Sequence, residues 1–327
     1  MQGNAHAERG LVLKRIGTVA VAAVLVAFVA GCGAQKADEP GQGVVKIDSG
    51  VATAGGALID TLPAAPTKGL AKGLTLPLHT YTISAADGYV WHAAVREQWR
   101  SCMARYGFAD FGPPSPSLES VTAQVDTAMG RRYGISDLDK AKKYGYHLPD
   151  DAPEAPYWEP ASGAETAVFT GKGPELTEGM YQGKALPEDG CRGEARRMFP
   201  MPQSPEGNKI EAQVFKDSRA DANVVAAVEK WASCMKEKGF ERKDPLEELD
   251  TLGISVSSPS AGEEEIRQAV ADVECKQETR LISLWHEGEK RHQQRAIASE
   301  KAKLDKEKSA KDAVMGKARK AYEDAAR

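Results

Sequence analysis

Three groups of side chains in this 327-residue chain have types and spacing that invite a chemical reading. Ser233-Cys234-Met235-Lys236 is an S-x-x-K run, the pattern that sets a nucleophilic serine beside a lysine in penicillin-recognising enzymes. The K-T-G partner of that pattern is missing, so chance is the better account. His286-Glu287 followed by His292 suggests zinc, but a zinc-binding helix needs its histidines at i and i+4 on one face. Here the spacing is i+6, which turns the second imidazole about 240° round the helix. The third group is basic and aromatic: Arg131, Arg132, Tyr133, Tyr144, Tyr146 and His147, with Trp158 further on. Aromatic faces beside cations can hold sugars or anionic polymers. The competing expectation is that these tyrosines simply pack their segment onto the fold. The chain contains no P-loop, no G-x-S-x-G and no G-x-G-x-x-G. The sequence therefore assigns no catalytic residue, no metal and no cofactor.

The cysteines carry more information. Cys32 closes a leader that opens with Arg9, Lys14 and Arg15 and runs through apolar Ile16 to Val29. A basic start, a short apolar middle and small residues before the cut are the marks of an export signal. Ile16 to Gly31 is shorter than the roughly 20 residues a spanning helix needs. Val29-Ala30-Gly31-Cys32 resembles the lipobox of bacterial lipoproteins. That resemblance implies a signal peptide at 1–31, a diacylglycerol thioether on Cys32, and a chain held on the outer, extracytoplasmic face of the cytoplasmic membrane. The leader has no Arg-Arg pair, which favours the general secretion route.

Removing Cys32 leaves Cys102, Cys191, Cys234 and Cys275. An even number in an oxidising compartment reads as two disulfides, with three possible connectivities. A repeat narrows the choice. Trp99-Arg100-Ser101-Cys102-Met103 leads to Gly107-Phe108, and Trp231-Ala232-Ser233-Cys234-Met235 leads to Gly239-Phe240. Each is followed by a second match, Cys191-Arg192-Gly193-Glu194-Ala195-Arg196 and Cys275-Lys276-Gln277-Glu278-Thr279-Arg280. If the halves are duplicates, the bridges join Cys102 to Cys191 and Cys234 to Cys275. Trp and Cys at i and i+3 share one helix face. Gly at C′ ends the helix in a left-handed conformation, and Phe at C″ meets Met at C3. The motif thus predicts a helix, a buried cystine and a helix stop, twice.

These elements also resemble those of uncharacterised actinobacterial cell-surface lipoproteins. The likeness rests on W-x-S-C-M…G-F, on Gly190 to Arg197, on Ala269 to Cys275, on Arg131-Arg132-Tyr133-Gly134 and on Tyr144-Gly145-Tyr146-His147, and covers roughly residues 75–290. It implies location and fold, and brings no activity with it.

Composition frames the elements that must hold these groups. Charged residues make up 28% of the chain and apolar residues 41%, which suits a folded body with extended polar parts. The net charge of -4 argues against a nucleic-acid partner. Residues 290–327 carry 12 Lys/Arg against 6 Asp/Glu, a local excess of positive charge. The expected class is mainly α: two disulfide-stapled helical modules in tandem duplication, then a long C-terminal helix. Residues 32–75 read as the lipidated cysteine and a flexible tether. Module A takes 76–205 and module B takes 206–290, with a charged helix at 291–327. Within module A, the first helix spans about 85–106, Ser136 and Asp139 cap a short helix ending at Gly145, and 150–173 reads as irregular. In module B, Val214, Val224, Val225, Val228, Trp231 and Met235 have helical spacing. A further helix starts near Glu263 and continues unbroken to the C-terminus, its thin apolar stripe (Ile297, Leu304, Val314, Met315, Tyr322) mostly solvated or docked on a partner.

The expected role is a non-catalytic binding or accessory protein of the cell envelope, with an envelope protein docking on the terminal helix. The alternative is a wall-directed enzyme or a binder of cell-wall polymer acting through the cluster of module A. A solute-binding protein ranks third, because the alternating strand and helix pattern it needs is missing.

Overall fold

Side-chain caps mark where most of the helices begin. The computed structural model describes residues 61–114, 117–148, 158–247 and 260–325; the leader, Cys32 and the chain to residue 60 lie outside them. Helix α1 (Ala85–Ala104) opens on a reciprocal capping box of Ser84 and Asp87. Ser117 caps α2 (Leu118–Ala128), Asp137 caps α3 (Leu138–Tyr144), and Ser162 caps α4 (Gly163–Thr170). Helix α5 (Gly190–Met198) and helix α6 (Pro205–Ser218), with Pro at its start, follow. Asp221 then caps α7 (Ala222–Glu237). Three glutamates fill the first turn of α8 (Glu263–Glu278), where the helix dipole favours them, and α9 (Leu281–Ala325) completes the chain. The strands among the described residues are the two-residue pair β1 (Met180–Tyr181) and β2 (Lys184–Ala185). A 3₁₀ turn, Pro77–Thr80, precedes α1. The fold is mainly α, as expected.

The two cystines form as the repeat predicts. Cys102–Cys191 ties α1 to α5, and Cys234–Cys275 ties α7 to α8. Both helix stops are full Schellman motifs. The N–H of Phe108 donates to Met103 O (3.1 Å) and that of Gly107 to Ala104 O (3.1 Å); Phe240 to Met235 (2.9 Å) and Gly239 to Lys236 (3.0 Å) repeat the pattern. Gly107 and Gly239 have φ of 95° and 91°, so each takes a conformation closed to most side chains. The glutamate of the second motif also recurs in place. Glu194 Oε2 lies 3.9 Å from Cys102 Sγ, and Glu278 Oε2 lies 3.7 Å from Cys234 Sγ.

Several expectations need correction. The tether ends well before residue 76. Ala71 and Leu76 are core residues, the Leu70 N–H donates to Ser136 O (2.8 Å), and Thr67 N donates to Asp126 (2.6 Å). The short helix after Ile135 is capped by Asp137, because Ser136 is buried and gives its hydroxyl to Gly130 O (2.5 Å). The stretch 150–173 contains α4, and its residues 150–157 lie outside the described ones. Module B's first apolar series is split between α6 and α7, and Val225 faces solvent. The last helix is also broken: Arg280, at φ 55°, separates α8 from α9, and Glu300 kinks α9.

The terminal helix is docked along this chain's own body. Leu281, Ile282 and Trp285 enter the main core with Trp231, Met235 and Tyr133. Beyond the kink, Met315 and Ala318 pack with Tyr89, Val90, Val121 and Phe199, and Leu304 is fully buried. Glu307 accepts from the N–H groups of Glu206 and Gly207 (both 3.0 Å) and so closes the open N-terminus of α6. Lys311 donates to Thr80 O (3.2 Å) and Thr82 O (3.0 Å). The expectation of a mostly solvated stripe is therefore corrected: its Leu304 and Met315 are buried within this chain. The sequence modules share one core, with Met129 and Tyr133 of module A packed among module B residues.

A polar-floored groove as the candidate functional site

The RRYG turn after α2 places Arg132 on the floor of a large apolar-walled groove. Tyr133 enters the core against Trp285 (5.3 Å between ring centres) and Phe215 (6.4 Å), and this fixes Arg132 beside it. Arg132 makes a fork to Glu289 on α9, Nε to Oε2 at 2.9 Å and Nη2 to Oε1 at 2.5 Å, and reaches Glu211 on α6 through Nη1 at 2.9 Å. Glu289 has no exposed surface. It also accepts from the Tyr133 hydroxyl (2.8 Å) and Gln293 Nε2 (2.9 Å), so the buried carboxylate is fully bonded. Gln293 Oε1 in turn accepts the N–H of Leu78 (2.9 Å), which seats the 3₁₀ turn. His79, on that turn, stands 3.9 Å from Glu211 and faces the groove.

Electrostatics follows from this wiring. Burial pushes the His79 imidazole below its usual range, against the raising pull of Glu211, so it is neutral at pH 7. Arg132 is held above its usual range: burial works against its charge, but the bond and field of Glu289 outweigh that. Burial and the adjacent Glu289 keep the Tyr133 phenol protonated. One guanidinium between two carboxylates gives the Arg132, Glu211 and Glu289 cluster a formal excess of one negative charge.

The groove itself holds about 840 Å³. Its walls are Leu62, Leu76, Ile83, Tyr89, Val121, Val125 and Met129, and Thr82, Ser84, Ser120, Gln124 and Asn208 place hydrogen-bonding groups around them. That volume lies within the range of small-molecule sites, and the mix of apolar wall and few polar groups is theirs too. A second groove of equal volume is more polar, between Lys68, Lys72, Lys140 and Lys143 on one side and Glu119, Asp126 and Asp139 on the other.

The structure divides the sequence-predicted cluster between these places. Arg132 lines the groove floor, and Tyr133 lies in the core behind it. Arg131 donates to Tyr146 O (2.6 Å) and His147 O (3.3 Å), holding the turn after α3. Tyr146 is buried; its hydroxyl accepts from Arg242 (3.0 Å) and lies 3.3 Å from Asp272. His147 lies 3.4 Å from Glu265. Tyr144, under Lys143 (4.5 Å), lines the second groove, and Trp158 packs on Phe111 in a separate cluster. The cluster therefore forms no single binding face, because Tyr146 holds the end of α3 on α8 while Tyr133 packs its own turn on α9. Ser233 gives its hydroxyl to Glu229 O (3.0 Å), His286 binds Thr75 O (2.8 Å) and His292 faces Asp221 (3.8 Å), so neither early chemical pattern assembles.

Sequence reasoning missed His79, Glu211 and Glu289, and a second buried network around Lys276. That lysine bonds Asp272 (3.1 Å) and Ile135 O (3.0 Å), while Trp231 Nε1 donates to the same carboxylate (2.9 Å). Burial drives the Lys276 ammonium below its usual range despite Asp272. A signal existed: Glu289 and Gln293 continue the stripe of Ile282 and Trp285 at i+3 and i+4 steps, as Asp272 and Lys276 continue that of Ala269. Polar residues at core positions mark buried networks. Among the described residues, no group of three or more His, Cys, Asp or Glu is placed to hold a metal, and no helix is long and apolar enough to cross a membrane. Comparison with known proteins finds no matching family model, no matching curated protein and no matching solved structure.

Proposed function

We propose that this protein is a lipid-anchored, extracytoplasmic binding protein of the cell envelope, non-catalytic, whose groove takes a small amphiphile with a neutral or cationic head. The groove carries the reading: an apolar cleft of ligand size ends on Arg132, whose charge is more than matched by Glu211 and the buried Glu289, which disfavours an anionic head. The fork between Arg132 and Glu289 supports a binding role over a catalytic one, because every strong acid or base on the floor is already bonded inside the protein. The Val29-Ala30-Gly31-Cys32 pattern supplies the address. A wall-directed role through Tyr133 and Tyr146 loses its support, since both rings are buried.

Two experiments test the proposal. Incorporation of a labelled fatty acid, lost on Cys32→Ala, checks the anchor. For the groove, residues 33–327 are titrated with a neutral environment-sensitive dye, which is then displaced by an alkylammonium or an alkyl sulfate of equal chain length. The ammonium should displace about tenfold better, a difference of about 1.4 kcal/mol. Ala128→Trp, which fills an exposed wall position, should abolish dye binding without loss of stability. Dye binding that is unsaturable, or unchanged in Ala128→Trp, overturns the groove as the site.

A further inference from the structure

A corner of the fold away from the groove floor presents apolar side chains that no internal packing explains. Between α5 and α6 the chain runs Met198-Phe199-Pro200-Met201-Pro202. Phe199 and Pro202 are buried, and Trp91 on α1 donates its indole N–H to Phe199 O (3.3 Å) and Pro200 O (3.2 Å). The loop is thus held firmly, yet Met198 is 46% exposed and Met201 is 60% exposed, the highest value among the exposed large apolar residues. Trp91 itself is half-buried, its ring beside the same loop.

Charge surrounds this corner asymmetrically. Arg196 and Arg197 immediately precede Met198 and both are exposed. Arg197 leans on exposed Glu188 (3.9 Å, and 3.0 Å to its carbonyl), while Arg196 has no acidic partner among the described residues. The one carboxylate on α5, Glu194, is turned inward to Gln98 (2.7 Å) and Arg105 (2.5 Å). An amphipathic Trp, adaptable Met side chains and two exposed arginines, one of them without an acidic partner among the described residues, together match the interface of an anionic bilayer.

We propose that this corner is a membrane-docking face, laid against the anionic lipid surface of the bilayer that carries the Cys32 anchor. The inference rests on that anchor for its proximity. Only 28 residues separate Cys32 from Thr61. Fully extended, they span at most about 100 Å, so the body never leaves the neighbourhood of the lipid. A patch too weak to bind membrane from free solution is sufficient when the local concentration is set by a tether. Docking would set the orientation of the body relative to the bilayer.

The test uses the full lipidated chain, reconstituted into vesicles of phosphatidylcholine alone or mixed with phosphatidylglycerol. Photoreactive benzoylphenylalanine replaces Met201 or, as a control, Val225, an exposed apolar residue on α7. Lipid adducts should form about tenfold more at 201 than at 225, and only with anionic lipid present. Arg196→Glu/Arg197→Glu should lower them at least about 25-fold, since loss of each basic residue near such a surface removes about fivefold and the new carboxylates are repelled. Unchanged cystine and helix content in that variant shows that it folds. Equal adducts at the two positions, insensitivity to anionic lipid or to charge reversal, or crosslinks to protein in place of lipid would each overturn the proposal. The mass of the N-terminal peptide in the same samples reports the anchor separately. A chain without lipid on Cys32 is added to the same vesicles at high lipid, where adducts at 201 still decide the docking face.

Discussion

Glu289 joins the two sequence modules through Arg132 and Tyr133, and its replacement gives a quantitative test of the network under the groove. Glu289→Leu keeps the volume and removes the carboxylate. Breaking one side of a buried ion pair costs about 3–5 kcal/mol, because the remaining charge stays desolvated. Arg132 retains Glu211 at 2.9 Å and its side chain is 17% exposed, which places this term near the lower end. The buried Tyr133 hydroxyl loses its acceptor as well, adding about 1–3 kcal/mol. The combined loss is about 4 kcal/mol, a fall in Tm of about 8–16 °C for a body of this size. Arg132→Met/Glu289→Leu removes both charges, and replacing a buried pair by apolar groups is often near neutral. The double variant should therefore recover most of the loss. Urea unfolding followed by far-UV circular dichroism, with the cystines intact, measures both at constant m-value. A single-variant loss below about 1 kcal/mol, or a double variant as unstable as the two singles summed, would refute the account of a desolvated, mutually dependent pair.

Three further outcomes follow from the same structure. Cys102→Ser/Cys191→Ser and Cys234→Ser/Cys275→Ser should lower stability by about 4.6 and about 3.9 kcal/mol on the loop-entropy model, with the larger effect for the larger loop; unfolding midpoints rank them. Stability should fall on acidification. The folded state holds the His79 proton more weakly than the unfolded chain does, so unfolding takes up protons as pH drops through 6.5, and His79→Gln should flatten that slope between neutral pH and about 5. His92 shifts in the same direction through burial, so the slope is reduced and not abolished. Finally, Leu304→Ala should cost about 2–5 kcal/mol, as a fully buried leucine does; a loss under about 0.5 kcal/mol would mean that the outer half of α9 is undocked in solution.

The legible parts of this chain are those where one residue type has one structural use. A repeated W-x-S-C-M…G-F predicts a helix, a cystine and a left-handed stop because only glycine takes φ near 90° without strain, and Gly107 and Gly239 do so. Periodicity likewise finds the faces of α7 and α8. It fails where a polar residue is buried. Arg132, Tyr133 and Tyr146 look like a wet, aromatic-cationic surface, and nothing local reveals that Glu289, more than 150 positions away, supplies the carboxylate that takes two of them inside. The same blindness makes α9 look solvated: Lys311 is at once a charged residue and the donor that ties Thr80 and Thr82 to the helix. Long-range pairing of charge defeats a reading based on average polarity, since a buried ion pair and an exposed one have the same composition. The groove inherits this property. Its walls come from four separate stretches of chain, and its floor depends on a carboxylate from α9, so no contiguous motif encodes it. A binding site of this kind is specified by which polar residues fall on apolar stripes. In this chain Glu289 and Gln293, at core positions of the last helix, are the residues from which the groove can be read.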